Sequence, residues 1–220
     1  MSGRPALTVA VMAAWLAKSE GRDKLGRTVQ YFARFLNGYF AEMVKKDASF
    51  KGAHEKAVAL QGAFATARRT DRIGKELNSI PALVKALKTD DWPEVAHKVA
   101  LTTFLMIDRY AWLCQSKLIK QDHKPIIKRA LKFLTLSWTI MLLRHIRGYL
   151  KLSSSLTNDA ASAQKAEAEI TAKKWEIFKH ILCVVQGVHI SGMYEHHDML
   201  AGVCGMYTSF DDAMKQYPKA

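Results

Sequence analysis

The stretch from Gly21 to Leu36, GRDKLGRTVQYFARFL, holds the residue pattern in this chain with the most obvious chemical potential. Its first eight residues differ by one side chain from a phosphate-binding loop, with Arg27 where the lysine belongs. Such a loop needs a buried strand before it and a lysine reaching the terminal phosphate. The preceding VAVMAAWLAKSE is helix-like, and no apolar strand ending in aspartate follows to hold magnesium. A nucleotide site is therefore not expected. His189, His196 and His197 gather near Asp198 and Cys183, but without HExxH spacing, and adjacent histidines point to different sides of a helix. No metal or cofactor is assigned. No GxSxG elbow, kinase signature or Cys/His pair is present, so no catalytic residue can be named and no enzyme is expected.

Read as a helix at 100° per residue, the same stretch separates cleanly. Leu25, Val29, Phe32, Leu36 and Tyr39 share one face, flanked by Phe35 and Phe40. Arg27 and Arg34 fall opposite, beside Asp23 and Gln30, with Lys24 at the margin. An aromatic apolar face backed by cations suits an interfacial membrane helix, with rings in the acyl boundary and cations at lipid phosphates. A helix packed on its own core fits the pattern equally well. A second basic segment, Ala67 to Lys88, joins Arg68, Arg69, Arg72 and Lys75 to Ile73, Leu77, Ile80, Leu83, Val84 and Leu87. A third, HKPIIKRALKFLTLSWTIMLLRHIRGYLK, places positive charge at both ends of an apolar centre, as in a helix near a bilayer or a buried central helix.

The elements that must carry these faces are helices. Strand-like runs bounded by turn residues are almost absent and there are only 5 prolines in 220 residues, so the expected fold is all-α. The 33 Lys and Arg against 20 Asp and Glu give a net charge of +13, which attracts anionic membranes or nucleic acid. Three widely spaced cysteines do not form a disulfide framework, so a reducing compartment is expected. Pro5 to Ala17 resembles the apolar part of a signal peptide but runs into a helix without a clear cleavage site, and is expected to be retained.

Helix is expected from Ala6 to about Phe50 with a break at Gly21, from Glu55 to Leu87 with a break at Pro81, from Val95 to about Ile119, and from Lys124 to Leu150. Asp90 and Asp91 before Trp92-Pro93 mark a helix start, and QDHKP reads as a connection. Residues 1–152 form the expected body of amphipathic and apolar helices, 153–174 a polar linker and exposed helix start, and 175–220 a C-terminal apolar segment. Spanning a bilayer takes about 20 mostly apolar residues. The apolar stretches within Val99–Leu113, Phe133–Leu143, Ile181–Tyr194 and Met199–Phe210 are all flanked or broken by charge, at Asp108, Arg109, Arg144 and Glu195 to Asp198. A freely lipid-exposed span is not expected.

GRDKLGRTVQYFARFL closely resembles the N-terminal signature of the peroxin eleven family, membrane elongation and proliferation factors of peroxisomes. ARRTDRIGKEL resembles that family's second basic patch, and WEIFKHILCVVQGVHISGMYE its final membrane-associated segment. The proportions are similar to the short forms found in glycosomes. The resemblance implies a non-enzymatic, membrane-associated helical bundle of the peroxisomal or glycosomal membrane, its N-terminal region facing the cytosol. Its amphipathic helices would insert shallowly and, with self-association, promote elongation, proliferation and division. Leu25, Val29, Phe32, Phe35 and Leu36 would be the inserted face. Lys24, Arg27 and Arg34 would meet lipid phosphates, with Arg68, Arg69, Arg72 and Lys75 as a second contact. Implied partners are anionic phospholipid, further copies of the chain, the fission machinery and the import receptor for peroxisomal membrane proteins, with no nucleic acid among them. A second idea attached to the family, a metabolite-conducting pore, would give Asp108, Arg109 and Arg144 a reason to sit in apolar segments. A soluble basic nucleic-acid binder is the reading outside the family.

Overall fold

The computed structural model describes residues 5–154 and 160–218. Among these, every regular element is a helix, as the composition predicts: α1 (Val9–Ala17), α2 (Ser19–Lys46), α3 (Lys51–Asp71), α4 (Lys75–Ala86), α5 (Trp92–Gln115), α6 (His123–Ser154), α7 (Ala160–Ile190) and α8 (Asp198–Lys215). A single 3-10 turn, Ala48–Phe50, joins α2 to α3, and the Asp47 carboxylate accepts from the Ser49 N–H at 2.8 Å.

The helix boundaries depart from the sequence expectation at two places, each with a local cause. The chain turns at Lys18, in extended conformation, rather than at Gly21. Gly21 lies in the first turn of α2, against the Trp15 carbonyl, where a Cβ would collide with the backbone. Its role is close approach and not a break. The second helical stretch divides at Gly74, whose φ of 88° favours glycine, while Pro81 is carried inside α4. Of the expected polar linker and helix start, residues 155–159 lie outside the described ones; from Ala160 the chain runs as one helix to Ile190. The acidic start of α5 is as expected, with the Asp91 carboxylate accepting from the Glu94 N–H at 3.3 Å.

The chain forms two compact units, interleaved in sequence. The first comprises residues 1–75, 112–121 and 194–220; the second comprises residues 76–111 and 122–193. In the first, α2 packs antiparallel against both α3 and α8. Gly38, Gly202 and Gly205 let backbones approach closely: a Cβ on Gly202 would lie 2.6 Å from the Phe35 nitrogen, and one on Gly38 2.7 Å from the Met199 nitrogen. Trp15 meets Tyr217 edge-on at 5.0 Å, and the Tyr217 hydroxyl donates to the Pro5 carbonyl at 2.9 Å. In the second unit α6 and α7 form an antiparallel pair, with Gly187 seated on Thr135 and Gly192 beside Lys128. Arg144 forks onto Asp91 and Glu94, both at 2.6 Å, and Ser137 bonds His97 at 2.8 Å, tying α6 to α5. Arg109 grips Glu76 through two bonds of 3.0 Å, tying α5 to α4.

Candidate membrane-facing surface

Each unit buries polarity and exposes apolar bulk. The buried apolar residues are mainly alanine and cysteine, and the largest fully buried side chains are Gln186, Thr208, Ser137, Ser191 and Ser209. In water, the hydrophobic effect favours the reverse.

Helix α2 shows the arrangement most clearly. Its buried positions are Gly21, Asp23, Gly26, Arg27, Tyr31, Ala33 and Gly38, while Phe32 is 47% exposed and Tyr39 43%. Leu25, Val29, Phe35 and Leu36 are half-buried. The apolar stripe read from the sequence is thus the outward one, although Phe35 turns toward α8, its backbone abutting Gly202. In α8, Leu200, Val203 and Phe210 are exposed, and Ala201, Gly202, Cys204 and Gly205 are buried.

The opposite, ionic stripe of α2 enters the unit. Asp23, 2% exposed, receives Arg68 Nε at 3.0 Å and Lys75 Nζ at 2.8 Å, and Lys75 also meets Glu20 at 2.8 Å. Burial alone would raise the Asp23 pKa, but Arg68, Lys75, Arg72 and Lys24 outweigh it and hold the carboxyl well below its usual range. Burial and the neighbouring Arg72 push Arg68 down to about 10, so it stays charged near neutrality. Its guanidinium also donates to Gln30 at 2.5 Å. Arg27 is buried, 3.2 Å from Asp212 and 3.4 Å from the Thr208 hydroxyl, with its guanidinium 5.7 Å from the Tyr31 ring centroid. Arg34 meets Asp198 at 2.6 Å.

The seven cations expected at lipid phosphates therefore sit differently. Arg27, Arg34, Arg68 and Lys75 are matched by carboxylates of unit 1, and Lys24 lies 3.9 Å from Glu20. Burial, followed by the charge of Arg27, pushes Lys24 below its ordinary pKa. Arg69 donates to Gln115 at 2.5 Å and Arg72 to the Arg68 carbonyl at 3.3 Å. Arg27, Arg34, Arg68 and Lys75 form an internal ionic framework rather than an outer basic rim. Sequence reasoning missed their partners, because Asp198 and Asp212 lie more than 160 positions from the arginines they meet. The available signal was acidic residues interrupting an apolar C-terminal segment.

In the second unit, exposed apolar residues recur at helical spacing on four helices: Leu77, Ile80 and Val84 on α4, with Leu87 just past its end; Val99, Met106 and Tyr110 on α5; Leu136, Leu143 and Leu150 on α6; Trp175, Phe178 and Ile181 on α7. Asp108, Lys179 and Gln186 are buried. Gln186 has neither amide atom bonded, and the buried Thr102 hydroxyl is likewise unmatched. No described helix is long and apolar enough to cross a membrane. The three cysteines are buried thiols, none of them in a disulfide with another. Of the C-terminal polar cluster, His197 caps α8, bonding the Met199 N–H, and meets Glu42 at 3.2 Å; Asp198 is taken by Arg34.

Comparison with known proteins gives the following matches. The model of the family described as Peroxisomal biogenesis factor 11 (PEX11) matches residues 9–217. Peroxisomal membrane protein 11D of Arabidopsis thaliana is 28% identical over 121 residues, 53% of this chain and 46% of that protein. Peroxisomal membrane protein 11E of the same plant is 28% identical over 124 residues, again 53% of this chain and 47% of that protein. The match thus spans about half the length of these curated relatives. No solved structure matches.

Proposed function

The chain belongs to the peroxisomal biogenesis factor 11 family, and on that premise we propose that it is a non-enzymatic peroxisomal membrane protein that promotes membrane elongation, proliferation and division. The mechanism is shallow insertion of outward apolar helix faces into one leaflet, reinforced by self-association. One observation carries this reading: each unit buries charged side chains, Asp23 and Arg27 in the first and Asp108 and Lys179 in the second, while large apolar side chains stand exposed. Water does not favour that distribution, and an acyl boundary does.

Leu25, Val29, Phe32 and Leu36, joined by Tyr39, are the inserted face of α2. Lys24, Arg69 and Arg72, all half-buried, are the proposed contacts to lipid phosphates, whereas Arg27, Arg34, Arg68 and Lys75 hold the fold. The peroxisomal location follows the names of the relatives, and a glycosomal variant with a cytosolic N-terminal region extends it. Anionic phospholipid, a second copy of the chain, the fission machinery and the import receptor for peroxisomal membrane proteins are the proposed partners.

Phe32→Glu tests the mechanism. The side chain is half exposed, so the helices should remain folded while one charge is forced into the acyl boundary. Burying a phenylalanine contributes about 1.5–3 kcal/mol, so binding to anionic vesicles should fall about tenfold or more. Unchanged vesicle binding by a folded Phe32→Glu protein removes this face from the mechanism.

A second reading, a metabolite-conducting oligomer, is favoured by the buried Gln186 and Thr102 with unmatched polar atoms. Conductance across a planar bilayer supports it, and a well-inserted protein that carries no current removes it.

A further inference from the structure

Helix α7 carries Glu176 and His180 four positions apart, hence on one face. The antiparallel register with α6 brings His145 to that face. The two imidazole rings lie 4.7 Å apart between centroids, tilted by 42°. One ligand atom from each of His145, Glu176 and His180 lies within 4.8 Å of the others, and all three residues are half-buried. Among the described residues this is the one such cluster of three.

We propose that His145, Glu176 and His180 form a binding site for a divalent transition-metal cation, with zinc as the expected occupant. Two imidazoles and a carboxylate are a donor set that zinc accepts, with bonds near 2.0–2.2 Å. A tetrahedral site with such bonds holds its ligand atoms roughly 3.3–3.5 Å apart, so closure from the observed spacing requires movements of about 1 Å, within reach of side-chain torsions.

The hydrogen bonding already favours one tautomer. His180 Nδ1 lies 2.8 Å from the Glu176 carbonyl; donating there leaves the Nε2 lone pair for the cation. Metal-bound histidines commonly use their second nitrogen in this way. Surrounding charge is partly compensated, because Arg144, the residue before His145, is forked onto Asp91 and Glu94. Lys173 lies a turn further along, beside Gly148, where the missing side chain leaves it room. Three protein ligands leave a fourth position for water, and the bound cation would clip α6 to α7. This inference does not rest on the membrane reading.

The test uses the full chain, purified in detergent and stripped with a chelator, titrated with Co2+ and then competed with Zn2+. One equivalent of Co2+ should give the visible absorption of a four-coordinate nitrogen–oxygen site, and Zn2+ should displace it. Zinc should also raise the melting temperature of the wild-type chain. His145→Gln and His180→Gln should each weaken Co2+ binding at least about tenfold, on the scale at which even supporting residues act. Glu176→Gln should weaken it as well, while His123→Gln and His196→Gln should leave it unchanged. Far-UV circular dichroism without metal checks that each variant keeps its helices. Absence of the cobalt band, persistence of the band in folded His145→Gln and His180→Gln, or a melting temperature insensitive to zinc overturns the proposal.

Discussion

Replacing Asp23 by asparagine removes the one carboxylate that receives both Arg68 and Lys75. The side chains of Asp23 and Arg68 are 3% and 12% exposed, so solvent cannot take over the lost partner. Lys75 is 21% exposed and keeps Glu20, so its share of the loss is smaller. Breaking a buried pair by removing one partner costs about 3–5 kcal/mol, because the surviving charge is left uncompensated. The lower end applies here, since Arg68 retains Gln30 and the Asp23 carbonyl. For a chain of this size about 3 kcal/mol lowers the melting temperature by roughly 6–12 °C. The assay is thermal unfolding of the full chain in detergent, followed by far-UV circular dichroism. Arg68→Met combined with Asp23→Asn should be less destabilising than the sum of the single changes, with a coupling of about 1–3 kcal/mol. A rival expectation follows if these cations serve lipid phosphates. Asp23→Asn would then only raise the net charge from +13 to +14, strengthening binding to anionic vesicles without loss of stability. A melting temperature lowered by less than about 2 °C, or additive single and double changes, refutes the buried framework.

Two further outcomes follow from the packing and charge of the first unit. Gly202→Val should destabilise by more than the roughly 1–3 kcal/mol usual for overpacking, because its Cβ would meet the Phe35 backbone at 2.6 Å and 2.7 Å. Gly62→Ala, in α3 with nothing within 4 Å, should stabilise by up to about 1 kcal/mol; denaturant midpoints distinguish the two. The depressed Asp23 pKa sets an acid limb. Its contribution is fully present above the ordinary carboxylate value of about 3.9 and is lost as pH falls toward the lower folded-state value. Melting temperature measured against pH should decline below about pH 4, and Asp23→Asn should flatten that decline.

The helices and the two faces of α2 could be read from the sequence, since a 3.6-residue period divides a helix into an apolar and a polar side. The period does not say which side faces inward. That sign is set by α3 and α8, which bring Arg68, Asp198 and Asp212 to the polar face of α2. Nothing within the Gly21–Leu36 stretch encodes those partners. The same limit applies to His145 and His180. Neither stands out alone, and their meeting depends on the α6–α7 register, whereas of the conspicuous His196–His197 pair it is His197 that caps α8 and meets Glu42. At Gly21 and Pro81 the residue types were informative but their meaning was not. Glycine served close approach as readily as a turn, and the proline is carried within α4 while the break lies at Gly74.

The closure of α2 by α8 also sets an order of assembly. Arg27 and Arg34 wait for Asp212 and Asp198, which are 185 and 164 positions later in the chain. At synthesis rates of about 5–20 residues per second, that interval lasts roughly 8–40 s. Throughout it, the nascent chain displays α2 with Arg27 and Arg34 still without Asp212 and Asp198. During biosynthesis the helix therefore carries more unmatched positive charge than it does in the finished fold.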